Sequence, residues 1–243
     1  MFDRPRTLAV MTSLCISLSY DASAKADIII QTPPGLIAGD TFRIAFVSDA
    51  TTEATSSDIS YYNTFVNNDA IAEAGGGNNE VTYDGAALTF SAIASASTTN
   101  AIDNITGTAS APLYLVNGTL VASSLTVLPG GLWSEYLLAP IDLDLTGANL
   151  GTTGVWTGTS PNGIVGYALG GAGATYGIST STTPSWITAG LDTDIRDPNH
   201  VYGVSNLLTV LTAIPEPSSL ILLTIGEFGL LVYGSLRRSQ GRD

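Results

Sequence analysis

The chain contains one histidine, His200, so a Ser-His-Asp triad would have to use it. Asp194 and Asp197 lie close by in sequence and could orient its imidazole, but no Gly-x-Ser-x-Gly segment supplies the nucleophile. Aspartate, proline and asparagine are turn formers, so the Asp197–His200 segment is interpreted as a turn. A zinc or iron site needs more histidine or cysteine ligands than the chain provides. We predict no catalytic residue, no metal site and no cofactor.

Two acidic clusters carry the oxygen ligands that Ca²⁺ prefers. One consists of Asp142 and Asp144, and the other groups three aspartates and an asparagine: Asp192, Asp194, Asp197 and Asn199. Neither cluster has the twelve-residue spacing of an EF-hand loop. Solvated acidic loops are the preferred interpretation, with weak calcium binding at most.

Exposed aromatic residues would indicate polysaccharide binding, and a pair of carboxylates would indicate polysaccharide hydrolysis. Trp156 and Trp186 stand in apolar, strand-like contexts and are predicted to be core residues, whereas Trp133, before Ser134, is predicted to be exposed. A polysaccharide hydrolase would need two carboxylates at a separation that only the tertiary structure sets. Nothing in the sequence singles out such a pair.

Charge and composition exclude several classes of protein. The chain of 243 residues has 21 acidic and 8 basic residues, and a formal net charge of −13. Residues 27–213 hold 16 of the acidic residues but only Arg43 and Arg196 among the basic ones. Such a surface repels anionic polymers, so a nucleic-acid partner is excluded. The hydrophobic content of 44% is high enough for a packed core and excludes a disordered acidic chain.

The first 26 residues have the pattern of a secretory signal peptide. Two arginines precede the apolar stretch Leu8–Tyr20, and Ala24–Ala26 offers a small-x-small cleavage site. Ala22–Ala24 is a competing site, and a buried N-terminal helix is the alternative interpretation. Cleavage after residue 26 would remove Cys15, the only cysteine.

The C-terminal 30 residues, 214–243, have three parts. Pro215-Glu216-Pro217 comes first, followed by an apolar segment, 218–236, that as a helix would span about 28 Å and match a bilayer core. Three arginines then form a membrane-stop cluster: Arg237, Arg238 and Arg242. By the positive-inside rule the C-terminus would face the cytoplasm and residues 27–213 the outside.

These three parts resemble the PEP-CTERM sorting signal of exported bacterial proteins. The resemblance implies an exosortase-type membrane enzyme as partner, with Pro215, Glu216 and Pro217 as its recognition element. Glu227 departs from the pattern, because a charge within a membrane helix costs a few kcal/mol. An ordinary C-terminal membrane anchor is the alternative interpretation.

Strands dominate the predicted elements of residues 27–213, with one clear helix. Alternating apolar residues over 41–46 predict a half-buried strand. Asp58 ends a cap sequence, apolar residues share one face over the next three turns, and Gly75–Gly77 end the helix. Leu113–Ala122 predicts a hairpin with a type I′ turn at Asn117-Gly118. Further strands are predicted at 88–94, 155–156, 164–167, 185–187 and 201–204.

The order of these features resembles the endostatin-like branch of C-type-lectin-like domains in exported bacterial proteins, over roughly residues 41–210. After the helix come Ala101–Ile105, Tyr114–Ala122, Leu128–Leu132, Pro140–Asp142, Val155–Thr159, Gly163 and Trp186. The resemblance implies an α+β fold, strand-rich with one or two helices, and a β-sandwich is the alternative. The calcium-and-sugar motifs of C-type lectins are absent; Ser160-Pro161-Asn162 lacks the carboxylate. The resemblance therefore implies no sugar-binding site in this chain.

Two functions from different classes are compatible with these patterns. The preferred one is a non-catalytic, structural or adhesive protein of the cell envelope or extracellular matrix. Its precursor would reside in the cytoplasmic membrane, and extracellular polysaccharide is a candidate partner. The alternative is an extracellular polysaccharide-acting hydrolase.

Overall fold

The structure is a computed structural model, and it describes residues 27–105, 111–134 and 136–212. These residues form two α-helices, α1 (Ile59–Glu73) and α2 (Ala101–Asn104). They also form twelve strands: β1 (Ile28–Ile29), β2 (Thr41–Val47), β3 (Val81–Tyr83), β4 (Ala86–Ala87), β5 (Phe90–Ala92), β6 (Leu113–Tyr114), β7 (Leu120–Ala122), β8 (Gly154–Trp156), β9 (Ala174–Ile178), β10 (Gly190–Asp192), β11 (Tyr202–Ser205) and β12 (Leu208–Thr209). The fold is thus strand-rich with few helices, and in this respect it agrees with the class predicted from the sequence.

The largest sheet has six strands and is mixed. Its order is β5-β11-β2-β6-β7, and β12 also pairs with β2. β2 and β6 are parallel, whereas β11 pairs antiparallel with both β2 and β5. Two separate three-stranded sheets have the orders β10-β9-β8 and β1-β3-β4. Residues far apart in sequence therefore meet along β2.

The strand predicted at 41–46 is present as β2, but the prediction that it is half-buried is wrong. All of its residues except Thr41 are buried. Phe42, Ile44 and Phe46 pack in one hydrophobic cluster with residues of α1. Ala45 and Val47, on the other face, join a second cluster around Trp186. β2 is buried on both sides because each face of the central sheet is covered.

Helix α1 confirms the predicted helix and its cap. The Asp58 carboxylate accepts a hydrogen bond from the Ser60 N–H at 2.9 Å. The helix ends before Gly75 and Gly76, which both have positive φ, and the Gly76 N–H donates back to the Ile71 carbonyl at 2.8 Å. Its buried face packs against β5, which fixes the orientation of every side chain on that face.

The hairpin at 113–122 is present as β6 and β7, but its turn is not type I′. A type I′ turn needs positive φ at both central residues, and only Gly118 has it. The Gly118 N–H donates to the Leu115 carbonyl at 2.9 Å, and the register between the strands shifts at a bulge. The Asn117 side chain accepts from the Thr119 N–H at 3.0 Å, which stabilises this longer loop.

Two predicted strands adopt other structures. Residues Pro184–Trp186 form a 3-10 helix, because Pro184 lacks an N–H and its fixed φ suits a first helical turn. Residues 164–167 form a tight loop in which Val165 only bridges Thr159. Predicted strands at 88–94, 155–156 and 201–204 are confirmed within β5, β8 and β11.

The signal peptide at 1–26, the sorting signal at 214–243 and the transmembrane helix at 218–236 lie outside the described residues. Within the described ranges, no helix is both long enough and apolar enough to cross a membrane.

Candidate functional site

A groove lies between two loops, 126–134 and 160–163. It has a volume of about 390 Å³ and is lined by Val127, Trp133, Ser134, Ser160, Pro161 and Asn162. This size is within the range of small-molecule sites. We call it the loop groove.

Backbone hydrogen bonds order both loops that flank the groove. The Leu132 N–H donates to the Ser124 carbonyl at 2.9 Å, and the Trp133 N–H donates to the Thr126 carbonyl at 3.0 Å. On the opposite loop, the Ile102 N–H of α2 donates to the Gly163 carbonyl at 3.0 Å. The loop groove is therefore formed before any ligand arrives.

Trp133 lies beneath the loop groove and is only 2% exposed, so the prediction that it is exposed is wrong. Its ring centroid lies 6.1 Å from that of Trp186. Gly163 packs directly on the indole, since a Cβ there would lie 2.7 Å from Trp133 Cδ2. Trp156 and Trp186 have no exposed surface, which confirms their assignment to the core.

The described lining of the loop groove is uncharged. Ser134, Ser160 and Asn162 supply hydroxyl and amide groups, which can donate and accept hydrogen bonds. Val127 is 57% exposed and supplies an apolar edge. A surface of this kind suits a neutral ligand rich in hydroxyl groups, because it offers hydrogen bonds without the cost of desolvating a charge.

A second candidate is a pair of buried carboxyl groups on α1. Asp69 is 4% exposed and Glu73 is 7% exposed, four residues apart on the helix face that carries Tyr62 and Val66. Sequence analysis missed this pair. The spacing of positions 62, 66, 69 and 73 follows the helical period, so the sequence alone places the two acids on the same helix face as Tyr62 and Val66.

Each carboxyl group of the pair is tied to a distant loop. Asp69 Oδ1 accepts the Ala50 N–H at 2.9 Å, and Glu73 Oε2 accepts the Leu145 N–H at 2.7 Å. Burial, followed by a hydrogen bond to Asp69 and the charges of Asp69 and Asp144, raises the pKa of Glu73 to about 9. Burial also raises the pKa of Asp69. Both shifts favour the protonated form of a carboxyl group within the pair.

The first predicted calcium cluster, Asp142 and Asp144, was expected to lie in a solvated acidic loop, and the structure agrees only in part. Asp144 is buried, and its Oδ1 accepts the Thr146 hydroxyl at 2.7 Å and the Ala148 N–H at 2.9 Å. Asp142 accepts the Asn149 side-chain amide at 2.7 Å. These carboxylates close the loop that brings Leu145 to Glu73.

The second cluster lies in an open turn. Asp194 and Asp197 are exposed, and Asp192 accepts the Asp194 N–H at 2.9 Å. Over 27–105, 111–134 and 136–212, no three acidic, histidine or cysteine side chains are grouped so that they could hold a metal ion.

His200 contacts the backbone and is half-buried. Its Nδ1 lies 2.6 Å from the Ser48 carbonyl oxygen, and the Ser48 hydroxyl accepts the Val201 N–H at 2.9 Å. Its backbone bonds to β8 through the Trp156 N–H, which donates to the His200 carbonyl at 2.9 Å. The imidazole thus helps to connect β2 and β11.

The predicted sorting residues lie outside the described part of the chain: Pro215, Glu216, Pro217, Arg237, Arg238 and Arg242. In comparisons with known proteins, no family model matches this chain, and no curated protein matches it significantly.

Proposed function

We propose that this chain is an exported cell-envelope or extracellular-matrix protein of the non-catalytic, adhesive type, and that the loop groove binds a neutral polysaccharide. The observation that carries the adhesive role is a preformed groove whose described lining is uncharged, on a domain with 16 acidic and two basic residues. Such a domain repels anionic polymers, and a neutral chain is compatible both with this charge and with a lining that has hydroxyl and amide groups.

Export and sorting form the second part of the proposal. The pattern of residues 1–26 supports secretion, and the order Pro-Glu-Pro, apolar segment, arginine cluster supports processing by an exosortase-type enzyme. The precursor would be held in the cytoplasmic membrane by 218–236, and the processed form would reach the cell surface or matrix.

We also propose a C-type-lectin-like fold for the exported domain. The order of the described elements supports it: α1 follows β2, and after it come β5 and α2, then the hairpin β6–β7, then β8 with Trp156. The Trp156–Thr159 segment is held by its hydroxyls, with the Thr157 hydroxyl donating to the Ile187 carbonyl at 2.6 Å and the Thr159 hydroxyl to Ser95 Oγ at 2.9 Å.

The geometry of Asp69 and Glu73 favours binding over hydrolysis. Glycosidase carboxyl groups stand about 5 Å or more apart, with the sugar between them. Here the two side chains lie within hydrogen-bonding reach of each other, and one oxygen of each accepts a backbone N–H. This pair is thus engaged in holding the fold.

Binding is tested with the purified full chain and two soluble probes, dextran as a neutral polysaccharide and dextran sulfate as an anionic one. We expect binding to a neutral polymer only. The double variant Ser160→Ala/Asn162→Ala should bind about tenfold more weakly, because it removes two polar contacts of roughly 0.5–1.5 kcal/mol each. Isothermal titration calorimetry measures both affinities.

Asn68→Ala is the matched control, since Asn68 is exposed on α1, and it should bind like the native chain. If dextran and a soluble β-glucan both fail to bind the native chain, the adhesive role is wrong. Unchanged affinity of the double variant would remove the loop groove from the proposal.

Processing is tested by Glu216→Ala in a host with an exosortase-type enzyme. Glu216 stands between two prolines and is the only charged residue of the motif, so it is the natural group for recognition by the enzyme. We expect the native protein to lose its tail and leave the membrane, and the variant to remain as an uncleaved membrane precursor. Intact mass and membrane fractionation measure this.

Ser219→Ala, in the same segment, is the control and should be processed normally. Equal cleavage of native and Glu216→Ala chains would contradict the recognition role of Glu216. An intact tail on the native protein would reduce the C-terminus to an ordinary anchor.

A further inference from the structure

We propose that Asp69 and Glu73 share one proton, and that this protonated pair is a pH-sensitive latch that holds the C-terminal half of α1 to the loops around Ala50 and Leu145. The inference concerns the stability of the domain and is independent of what the loop groove binds.

The four carboxyl oxygens of the pair differ in their hydrogen bonding. Asp69 Oδ1 and Glu73 Oε2 each accept a backbone N–H, from Ala50 and Leu145. Among the described residues, no hydrogen-bond donor lies within bonding distance of the other two oxygens, Asp69 Oδ2 and Glu73 Oε1, and both are buried. The backbone N–H groups of Ala50 and Asp49 both act to lower the pKa of Asp69, against the effect of burial. A proton on one of these two oxygens, donated to the other, would satisfy both.

The charged groups around the pair are also acidic. The charged groups that act on it are Asp49, next to Ala50 on the loop after β2, and Asp144, next to Leu145. Both are acidic. Full ionisation would therefore bury two negative charges beside two more, which is costly in a medium of low dielectric.

The pair attaches α1 to two segments that are distant in the chain. Asp69 connects α1 to a backbone group 19 residues away, and Glu73 connects it to one 72 residues away. Ionisation would repel the two side chains from each other and from Asp49 and Asp144. α1 would then lose its attachment to two loops at once.

The sign of the pH dependence follows from proton counts. Between an ordinary carboxyl pKa near 4.5 and the raised pKa of about 9 for Glu73, the folded state binds the proton and the unfolded state does not. Stability from the latch is complete below pH 4.5 and is lost as pH rises toward 9. From pH 6 upward the exposed carboxyl groups are already ionised, so the slope there reports on the pair.

The test measures the melting temperature of the purified full chain from pH 6 to 9 by circular dichroism. We expect the native melting temperature to fall by about 5–10 °C over this range. In Glu73→Gln the amide donates permanently to Asp69 and its oxygen still accepts from Leu145, so the curve should be nearly flat.

Two further variants separate the latch from a loss of packing. Glu73→Ala should melt lower than Glu73→Gln at every pH, because it leaves Asp69 unpaired. Glu53→Gln changes an exposed carboxyl and should keep the native slope. A native curve without slope, or the same slope in Glu73→Gln, would overturn the proposal.

A direct readout is the ¹³C shift of the Glu73 carboxyl carbon, which should stay at the protonated value at pH 7. A shift that titrates near pH 4.5 would contradict proton sharing. The last measurement repeats the melting experiment at pH 7.5 with millimolar Ca²⁺. A rise of several degrees that Glu73→Gln abolishes would show that the two oxygens hold a cation in place of the proton, and would also overturn the proposal.

Discussion

Replacing Trp186 with alanine is expected to lower the free energy of unfolding by about 3–5 kcal/mol. The side chain has no exposed surface, and its ring packs against Trp133 and Tyr202, with centroid distances of 6.1 and 5.8 Å. Truncation would leave a cavity between the sheet and the loop groove, because these neighbours are fixed by backbone hydrogen bonds. Urea unfolding followed by far-UV circular dichroism measures the loss.

Tyr136→Ala is the matched control, since this aromatic side chain is 61% exposed. It should change stability by about 0.5 kcal/mol or less. Since Trp133 rests on Trp186 and lies under the loop groove, Trp186→Ala should also weaken polysaccharide binding. A loss of stability below about 1 kcal/mol would show that the second hydrophobic cluster does not depend on this residue.

The second large effect is expected at Gly158, within the Trp-Thr-Gly-Thr segment. Its φ is +62°, and a Cβ there would overlap the Ser95 carbonyl oxygen and lie 2.8 Å from the Leu169 nitrogen. Both obstacles are backbone atoms, which cannot move aside as a flexible side chain can. Gly158→Ala should therefore lower the free energy of unfolding by about 2–5 kcal/mol, as the sum of left-handed strain and overpacking.

Gly151→Ala separates the two causes. Gly151 has a similar φ of +69°, but no atom lies within 4 Å of a Cβ placed there. The control should lose only the conformational part, about 1–2 kcal/mol. Equal losses in the two variants, measured by urea unfolding, would mean that the close approach of Ser95 and Leu169 does not limit this position.

Local sequence was enough to predict the elements whose cause is local. Asp58 and Gly75 bound α1, because a cap acts on an N–H two residues away and a glycine accepts positive φ whatever surrounds it. The alternation over 41–46 likewise identified β2. The acidic charge, the candidate leader and the candidate sorting signal also belong to this class, since they depend on composition and order alone.

Tertiary structure decided which side chains are buried and what they meet. Trp133 has a polar neighbour in sequence, yet Gly163, some 30 positions later, packs on its indole. Asp69 and Glu73 resemble the solvent-facing acids of any surface helix until the loops at 50 and 145 cover them. The physical reason is the same in both cases: local chemistry sets the backbone within a few residues, whereas burial depends on chain segments brought in from tens of residues away.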